Sequence, residues 1–234
     1  MLGRPGWSCF SCPGNNARFA HRMSPDADRP NGTKEVAERT QALRHLYARR
    51  LTRLGRWREA RPYFPAALRP KLDAYVQGIR DGHDLKKDAI QRGRALFAAA
   101  TIARDDGMEL LGSELGPDDA QYKGAFPHGD DGARTPANDP LFKPNEDMQQ
   151  RLSESLVRPR KRFHYRYIAS DHAWDAAQLL PNESDETATL LCTAGGWLKN
   201  QDPKAANRFY KALVTRCGST VLGKEAERLK WFPK

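Results

Sequence analysis

Residues 84–111, DLKKDAIQRGRALFAAATIARDDGMELL, decide the fold of this chain. Small and apolar residues recur along the stretch at helical spacing, on one face and its margins: Ala89, Gly93, Leu96, Phe97, Ala100, Ala103 and Gly107, with Ile90, Ala99 and Ile102 beside them. This spacing predicts one amphipathic helix over 84–111. Because most of these side chains are small, the sequence also predicts that a second helix packs closely against this face.

The rest of the chain also has helical periodicity, and no segment has the alternation of a β-strand. Helices are predicted at about 34–54, 69–82, 148–157, 161–180, 184–199, 202–216 and 221–231. Pro62 and Pro65 interrupt a further element that begins at Trp57, which is therefore either kinked or starts later, near Pro70. We predict an all-α protein of about 7–9 helices.

Clusters of Gly, Pro and Asp divide the chain into four parts. We predict that the N-terminal tail over 1–33 is either disordered or the result of a wrongly assigned start codon. We also predict an acidic Gly/Pro/Asp-rich linker over 116–146. The linker separates a helical module over 34–115 from a second helical module over 147–234.

The net charge of +10 is unevenly distributed. Residues 39–104 carry 16 basic and 5 acidic residues, residues 105–157 carry 4 and 12, and residues 158–234 carry 14 and 8. Two basic blocks thus flank an acidic block. The pattern indicates either an acidic partner or a middle segment that folds back over a basic face.

Two places resemble the tetratricopeptide repeat. The second-helix pattern of the family matches Gly55, Trp57, Ala60, Phe64, Ala67 and Leu68, preceded by Tyr47, Ala48 and Leu51, and it recurs as Ala205, Phe209, Ala212 and Leu213. Ala169, Ala176 and Pro181 are a weaker match. Gly223, Glu225, Ala226 and Leu229 are similar to the short helix that follows a repeat in bacterial cell-envelope assembly proteins. The resemblance implies helical hairpins of α-solenoid type, made irregular by the two prolines and by the length of 84–111, and a protein-binding scaffold rather than an enzyme.

The resemblance also implies a binding groove. Its groove-facing positions on the first helix would be Ala42, His45, Arg49, Thr52 and Arg53. A groove of this kind holds a peptide or a helix, and arginine side chains there favour carboxylates, so we expect a partner with an acidic segment. The alternative is that these residues form a solvated helix face.

A second candidate surface lies at 158–167, RPRKRFHYRY, where cations alternate with aromatic residues. This composition binds phosphate backbones and stacks on bases, so nucleic-acid binding through Arg160, Lys161 and Arg162 is the alternative function. However, Phe163 and Tyr167 continue into the apolar face of the following helix, which favours a place in the core. The cations then serve a protein partner or the acidic middle segment.

The sequence predicts no catalytic centre and no cofactor. It lacks a phosphate-binding Gly-rich loop, HExxH and GxSxG, and Cys9 and Cys12 form a CxxC without a second pair. A bridge between Cys192 and Cys217 is left open. No run approaches the roughly 18 apolar residues of a membrane-spanning helix. No signal peptide is recognised in the chain as given, which favours the cytoplasm, whereas a truncated N-terminus would leave the cell envelope open.

Overall fold

The computed structural model describes residues 32–113, 145–159 and 163–233. The α-helices in these ranges are α1 Gly32–Arg53, α2 Trp57–Ala60, α3 Arg69–His83, α4 Ala89–Asp105, α5 Gly107–Leu111, α6 Glu146–Ser155, α7 His164–Leu179, α8 Asp185–Leu198, α9 Pro203–Arg216 and α10 Val221–Leu229. No strand occurs among the described residues, and the predicted all-α class is confirmed. The predicted tail and most of the predicted linker lie outside the described ranges.

The prolines break the chain after α1 as predicted. Helix α2 ends at Ala60, and two 3₁₀ turns, Arg61–Tyr63 and Ala66–Leu68, lead into α3. Pro70 lies in the first turn of α3, where its missing N–H group costs no hydrogen bond. The element that resembles the second helix of a repeat is therefore not continuous over 57–68.

The prediction of one helix over 84–111 is wrong. Asp88 caps α4, since its carboxylate accepts a hydrogen bond from the Gln91 backbone N–H at 2.8 Å, so the helix begins only at Ala89. At the other end, Asp106 leaves the helical conformation and α5 restarts at Gly107. The Tyr165 ring lies against Gly107, where an added Cβ atom would come within 2.4 Å of its Cδ2 atom. The Tyr165 ring thus packs at the point where the helix is interrupted between α4 and α5.

The predicted close packing of a second helix on the small-residue face of α4 is present, and the partner is α7. These two helices share the most extensive helix–helix contact among the described elements. A Cβ atom on Gly93 would lie 3.1 Å from the carbonyl oxygen of Ala176. Ala100, Ala169 and Ala173 are fully buried. Small side chains on both helices let their backbones approach closely.

Because α4 and α7 pack together, the two predicted helical modules are not separate bodies. Residues Ala42–Lys234 form one compact unit. Of the residues that precede this unit, the structure describes the start of α1, where residues 36–41 are exposed. Helices that precede and follow the predicted linker in the sequence contact each other. The sequence alone did not predict this contact.

Helices α8, α9 and α10 begin and end within two residues of their predicted bounds, whereas α7 begins three residues later than predicted. Buried side chains of α9 are Ala206, Phe209, Ala212 and Leu213, whereas Ala205 is half-buried. The Thr220 hydroxyl accepts a hydrogen bond from the Gly223 N–H and caps α10. Cys192 and Cys217 are both free thiols. No helix in the described ranges is long and apolar enough to cross a membrane.

Candidate partner-binding site

The two arginines predicted to face a groove on α1 contact the chain's own backbone. The Arg49 guanidinium donates to the Met108 carbonyl at 3.1 Å. Arg53 donates to the carbonyls of Leu111 and Gly112 at 2.7 and 2.8 Å. The last carbonyls of a helix lack partners within it, so these cations cap the C-terminal end of α5. Arg49 is only 5% exposed.

The other predicted groove residues are also engaged internally. His45 donates from Nε2 to the Glu109 carbonyl at 2.8 Å and packs edge-on against Phe64, while burial lowers its pKa. Thr52 is buried and donates to the Ala48 carbonyl. Ala42 is exposed. The structure thus gives His45, Arg49 and Arg53 an internal ligand, the 108–112 backbone, where the sequence predicted a partner.

The second predicted set, Arg160, Lys161 and Arg162, lies outside the described residues. The residues on either side of this set are described, and the two that precede it, Arg158 and Pro159, line a cleft of about 500 Å³. We call this the basic cleft. Its lining residues come from the segment before α7, from α7, from the end of α8 and from the start of α9: Arg158, Pro159, Tyr167, Asp171, Leu198, Lys204, Ala205 and Arg208.

A hydrogen-bonded helix cap positions Tyr167 in the basic cleft. The Tyr167 hydroxyl donates to Asp202 Oδ2 at 3.1 Å. Asp202 Oδ1 accepts from the Ala205 backbone N–H at 2.9 Å and so caps α9, and Pro203 occupies the first helical position. The beginning of α9 is thereby fixed against α7, and Lys204 is held at the rim.

Arg208 forms the opposite wall of the basic cleft. Its Nη2 atom donates to Asp171 Oδ1 at 2.6 Å, and its guanidinium lies over the Trp174 ring, 5.2 Å from the ring centroid. The Nε atom is buried without a hydrogen-bond partner. Stacking on the indole and pairing with the carboxylate hold this cation in place.

The lining of the basic cleft is cationic and partly apolar. Arg158, Lys204 and Arg208 face a single lining carboxylate, Asp171, and that carboxylate is already paired with Arg208. Arg158 and Lys204 are exposed and form no ion pair with any described residue. The half-buried residues Tyr167, Pro159 and Ala205 supply the apolar surface, and Leu198 lies buried beneath it. Such a lining can hold a carboxylate next to an apolar side chain.

Sequence reasoning missed Lys204 and Arg208 as lining residues. They lie on α9, and the separation between α7 and α9 in the sequence hides that both helices face one cleft. The predicted repeat pattern identified the buried side of α9 but carried no signal about what its other side would meet.

The aromatic residues of 158–167 are mostly unavailable to a ligand. Phe163 and Tyr165 are 4% and 6% exposed, and their rings pack edge-to-face at 6.0 Å. Tyr167 is half-buried and hydrogen-bonded to Asp202. The core position predicted for Phe163 is confirmed, and only Tyr167 offers part of its ring to the basic cleft.

Comparison with known proteins adds no identification: no family model, no curated protein and no solved structure matches the chain. Within the described residues, no three His, Cys, Asp or Glu side chains come together in a way that could hold a metal ion.

Proposed function

We propose that this protein is a non-enzymatic helical scaffold of tetratricopeptide-like type that binds a protein partner through an acidic segment in the basic cleft. One observation carries the proposal: Arg158 and Lys204, which have no described ion-pair partner, lie beside the apolar surface of Tyr167 and Pro159 in one cleft. A short segment with Glu or Asp next to a Leu or an aromatic residue would satisfy both kinds of surface at once.

The rigidity of the cleft supports this proposal. Asp202 caps α9 and accepts the Tyr167 hydroxyl, while Asp171 pairs with Arg208. A partner would therefore meet Tyr167 and Arg208 already held in position, which lowers the entropy cost of binding. The proposal moves the site from α1, whose arginines bind the chain's own carbonyls, to the cleft between α7 and α9.

The alternative function, nucleic-acid binding through 158–167, has less support. Base stacking needs exposed aromatic faces, and Phe163 and Tyr165 are buried. A nucleic acid would then be bound by its phosphates alone, which would make binding strongly dependent on salt and indifferent to an apolar side chain on the ligand.

The test is fluorescence anisotropy of the whole chain with labelled probes. We expect a short Glu-rich peptide with two Leu residues to bind, and its Gln-for-Glu counterpart to bind at least about tenfold more weakly. The double variant Arg158→Glu/Lys204→Glu should lose binding of the Glu-rich peptide. Lys224→Glu, which changes an exposed lysine on α10, is the matched charge control and should behave as the wild type.

Two outcomes would contradict the scaffold proposal. Equal binding of the Glu and Gln peptides would show that carboxylates are not recognised. Binding of a single-stranded RNA of similar length, abolished by Arg158→Glu/Lys204→Glu and tighter than binding of the peptide, would replace the acidic peptide with a nucleic acid.

A further inference from the structure

Helix α1 has an exposed apolar face on the side away from its buried residues Ala48 and Thr52. Leu43 is 64% exposed, Tyr47 46% and Leu54 49%. Tyr63, which follows in the first 3₁₀ turn, is 41% exposed and packs edge-to-face against Tyr47 with ring centroids 5.2 Å apart. We call these four residues the α1 stripe. Exposed apolar residues that adjoin one another in this way, rather than lying scattered, indicate an interaction surface.

The spacing of the α1 stripe is that of a coiled-coil seam. Leu43, Tyr47 and Leu54 lie four and seven residues apart, and Arg50 occupies the seam position between the last two. The same alternation of three and four continues in the sequence to Val36 and Thr40. A helix that presents its apolar residues at this spacing matches the apolar face of another helix, laid along it at a shallow angle. From Leu43 to Leu54 the seam is roughly 16 Å long, about three helical turns.

The surroundings of the α1 stripe are positively charged. Arg44 lies three residues before Tyr47, on the margin of the stripe, and Arg50 lies three residues after it, within the seam. Neither arginine forms an ion pair with a described residue. At its C-terminal end the stripe adjoins a hollow of about 410 Å³ lined by Leu54, Leu156 and Val157. Arg50, Arg53 and Arg158 also line this hollow, against one carboxylate, Glu154.

We propose that the α1 stripe binds an amphipathic helix of a partner protein whose apolar face is flanked by acidic residues. The apolar seam supplies the contact area, while Arg44 beside the seam and Arg50 within it select carboxylates that flank the partner's apolar face. A second copy of this chain fits poorly, because it would bring the same two arginines to the contact, and facing like charges are unfavourable. The inference does not rest on the basic cleft, because the stripe shares no residue with it; Arg158 lines both that cleft and the hollow next to the stripe.

The test uses the whole chain and two designed peptides of three heptads each. Both carry Leu at the a and d positions; one has Glu and the other has Lys at the e and g positions. We expect the Glu peptide to bind the wild type and the Lys peptide to bind at least about tenfold more weakly, measured by anisotropy. Leu43→Asp, at the most exposed position of the stripe, should abolish binding without unfolding the protein.

A charge exchange makes the test specific. The variant Arg44→Glu/Arg50→Glu should reverse the preference, so that the Lys peptide binds more tightly than the Glu peptide. Val221→Asp, which changes an even more exposed apolar residue on α10, is the control for Leu43→Asp and should leave binding unchanged. Lys204→Glu should also leave it unchanged, which separates this surface from the basic cleft.

Three results would overturn the proposal. The first is that neither peptide binds, as expected if the chain's own residues cover the stripe. The second is equal binding of both peptides, which would mean that the arginines select nothing. The third is a dimer in sedimentation velocity that dissociates in Leu43→Asp, which would assign the stripe to a second copy.

Discussion

At the residue scale, two adjacent glycines of α8 have opposite surroundings. A Cβ atom on Gly195 would lie 2.0 Å from Cζ of Phe232, whereas one on Gly196 would meet nothing within 4 Å. Phe232 is buried and contacts Trp231 and Tyr210 in an aromatic cluster. The absence of a side chain at Gly195 therefore lets Phe232 of the C-terminal segment pack against α8, whereas Gly196 has no such role.

This contrast predicts opposite effects of the same substitution. Gly195→Ala should destabilise the protein by about 1–3 kcal/mol, because Phe232 must move. Gly196→Ala should stabilise it by up to about 1 kcal/mol, because alanine favours the helix. Urea unfolding gives both values, and Trp231 fluorescence should change only in Gly195→Ala. Equal effects of the two variants would show that Phe232 does not rest on Gly195.

The environment of His172 predicts how stability depends on pH. Burial is the main cause that lowers its pKa below 6.5, opposed by nearby Asp175 and Asp171 and aided by His83. Its Nε2 atom is hydrogen-bonded to the Tyr75 hydroxyl at 3.1 Å, between α7 and α3. The folded protein therefore favours neutral His172, while the unfolded chain binds a proton more readily.

Stability should accordingly be complete above about pH 6.5 and fall as the pH decreases toward the folded-state pKa of His172. The variant His172→Gln should flatten the dependence of the urea midpoint on pH between about pH 7.5 and 5.5. His45, whose pKa burial also lowers, contributes in the same direction, so some slope should remain. A slope identical to that of the wild type would exclude His172 as a source.

At the element scale, the contact between α4 and α7 depends on small side chains. Ala100 is fully buried and lies two helical turns after Gly93, which touches the Ala176 carbonyl. Ala98, two residues before Ala100 on the same helix, is exposed. Larger side chains at the buried position would force the helices apart, whereas the exposed position has room.

Ala100→Leu should therefore destabilise the protein by about 1–3 kcal/mol or more, and Ala98→Leu by less than about 0.5 kcal/mol. Thermal unfolding monitored by circular dichroism measures the difference, since both variants add the same side chain to the same helix. A similar loss of stability in both variants would show that leucine destabilises the helix itself rather than its contact with α7.

The prediction of the elements from sequence was best where local signals act. Asp202 and Thr220 cap α9 and α10 within one turn of the residues they bind, so short-range patterns were enough. Ser184, a residue type that favours this position, precedes α8 but forms no side-chain cap hydrogen bond. The break at Asp106 was missed because the periodicity of 84–111 continues through it, and the Tyr165 ring that packs there lies far away in the sequence.

At the scale of the whole molecule, the compact unit Ala42–Lys234 joins helices from both predicted modules. The buried alanines of α7, including Ala169 and Ala173, depend on this arrangement. Without α4 they would be exposed to solvent together with the carbonyl of Ala176. Neither half of the unit has a complete core by itself.

We therefore expect residues 145–234, produced alone, to lack cooperative thermal unfolding and to bind a hydrophobic dye such as ANS. Addition of residues 42–113 should restore cooperative unfolding, because α4 would cover α7 again. The intact chain provides the reference. Sharp, reversible unfolding of 145–234 alone would support two independent helical modules, as the sequence predicted.

The sequence by itself determined the all-α class, the positions of most helices and the small-residue face of α4, because periodicity and caps act over a few residues. It did not determine which arginines of α1 are available. Arg49 and Arg53 bind carbonyls some 58–59 residues away, whereas Arg44 and Arg50, on the same helix, meet none.

The basic cleft was likewise decided only by tertiary structure, because Tyr167 of α7 and Lys204 of α9 line one cleft although they are distant in the sequence. The physical reason is common to both cases. A helix pattern specifies which side of a helix is buried, but the groups that an exposed or half-buried cation faces are set by contacts between segments distant in the chain.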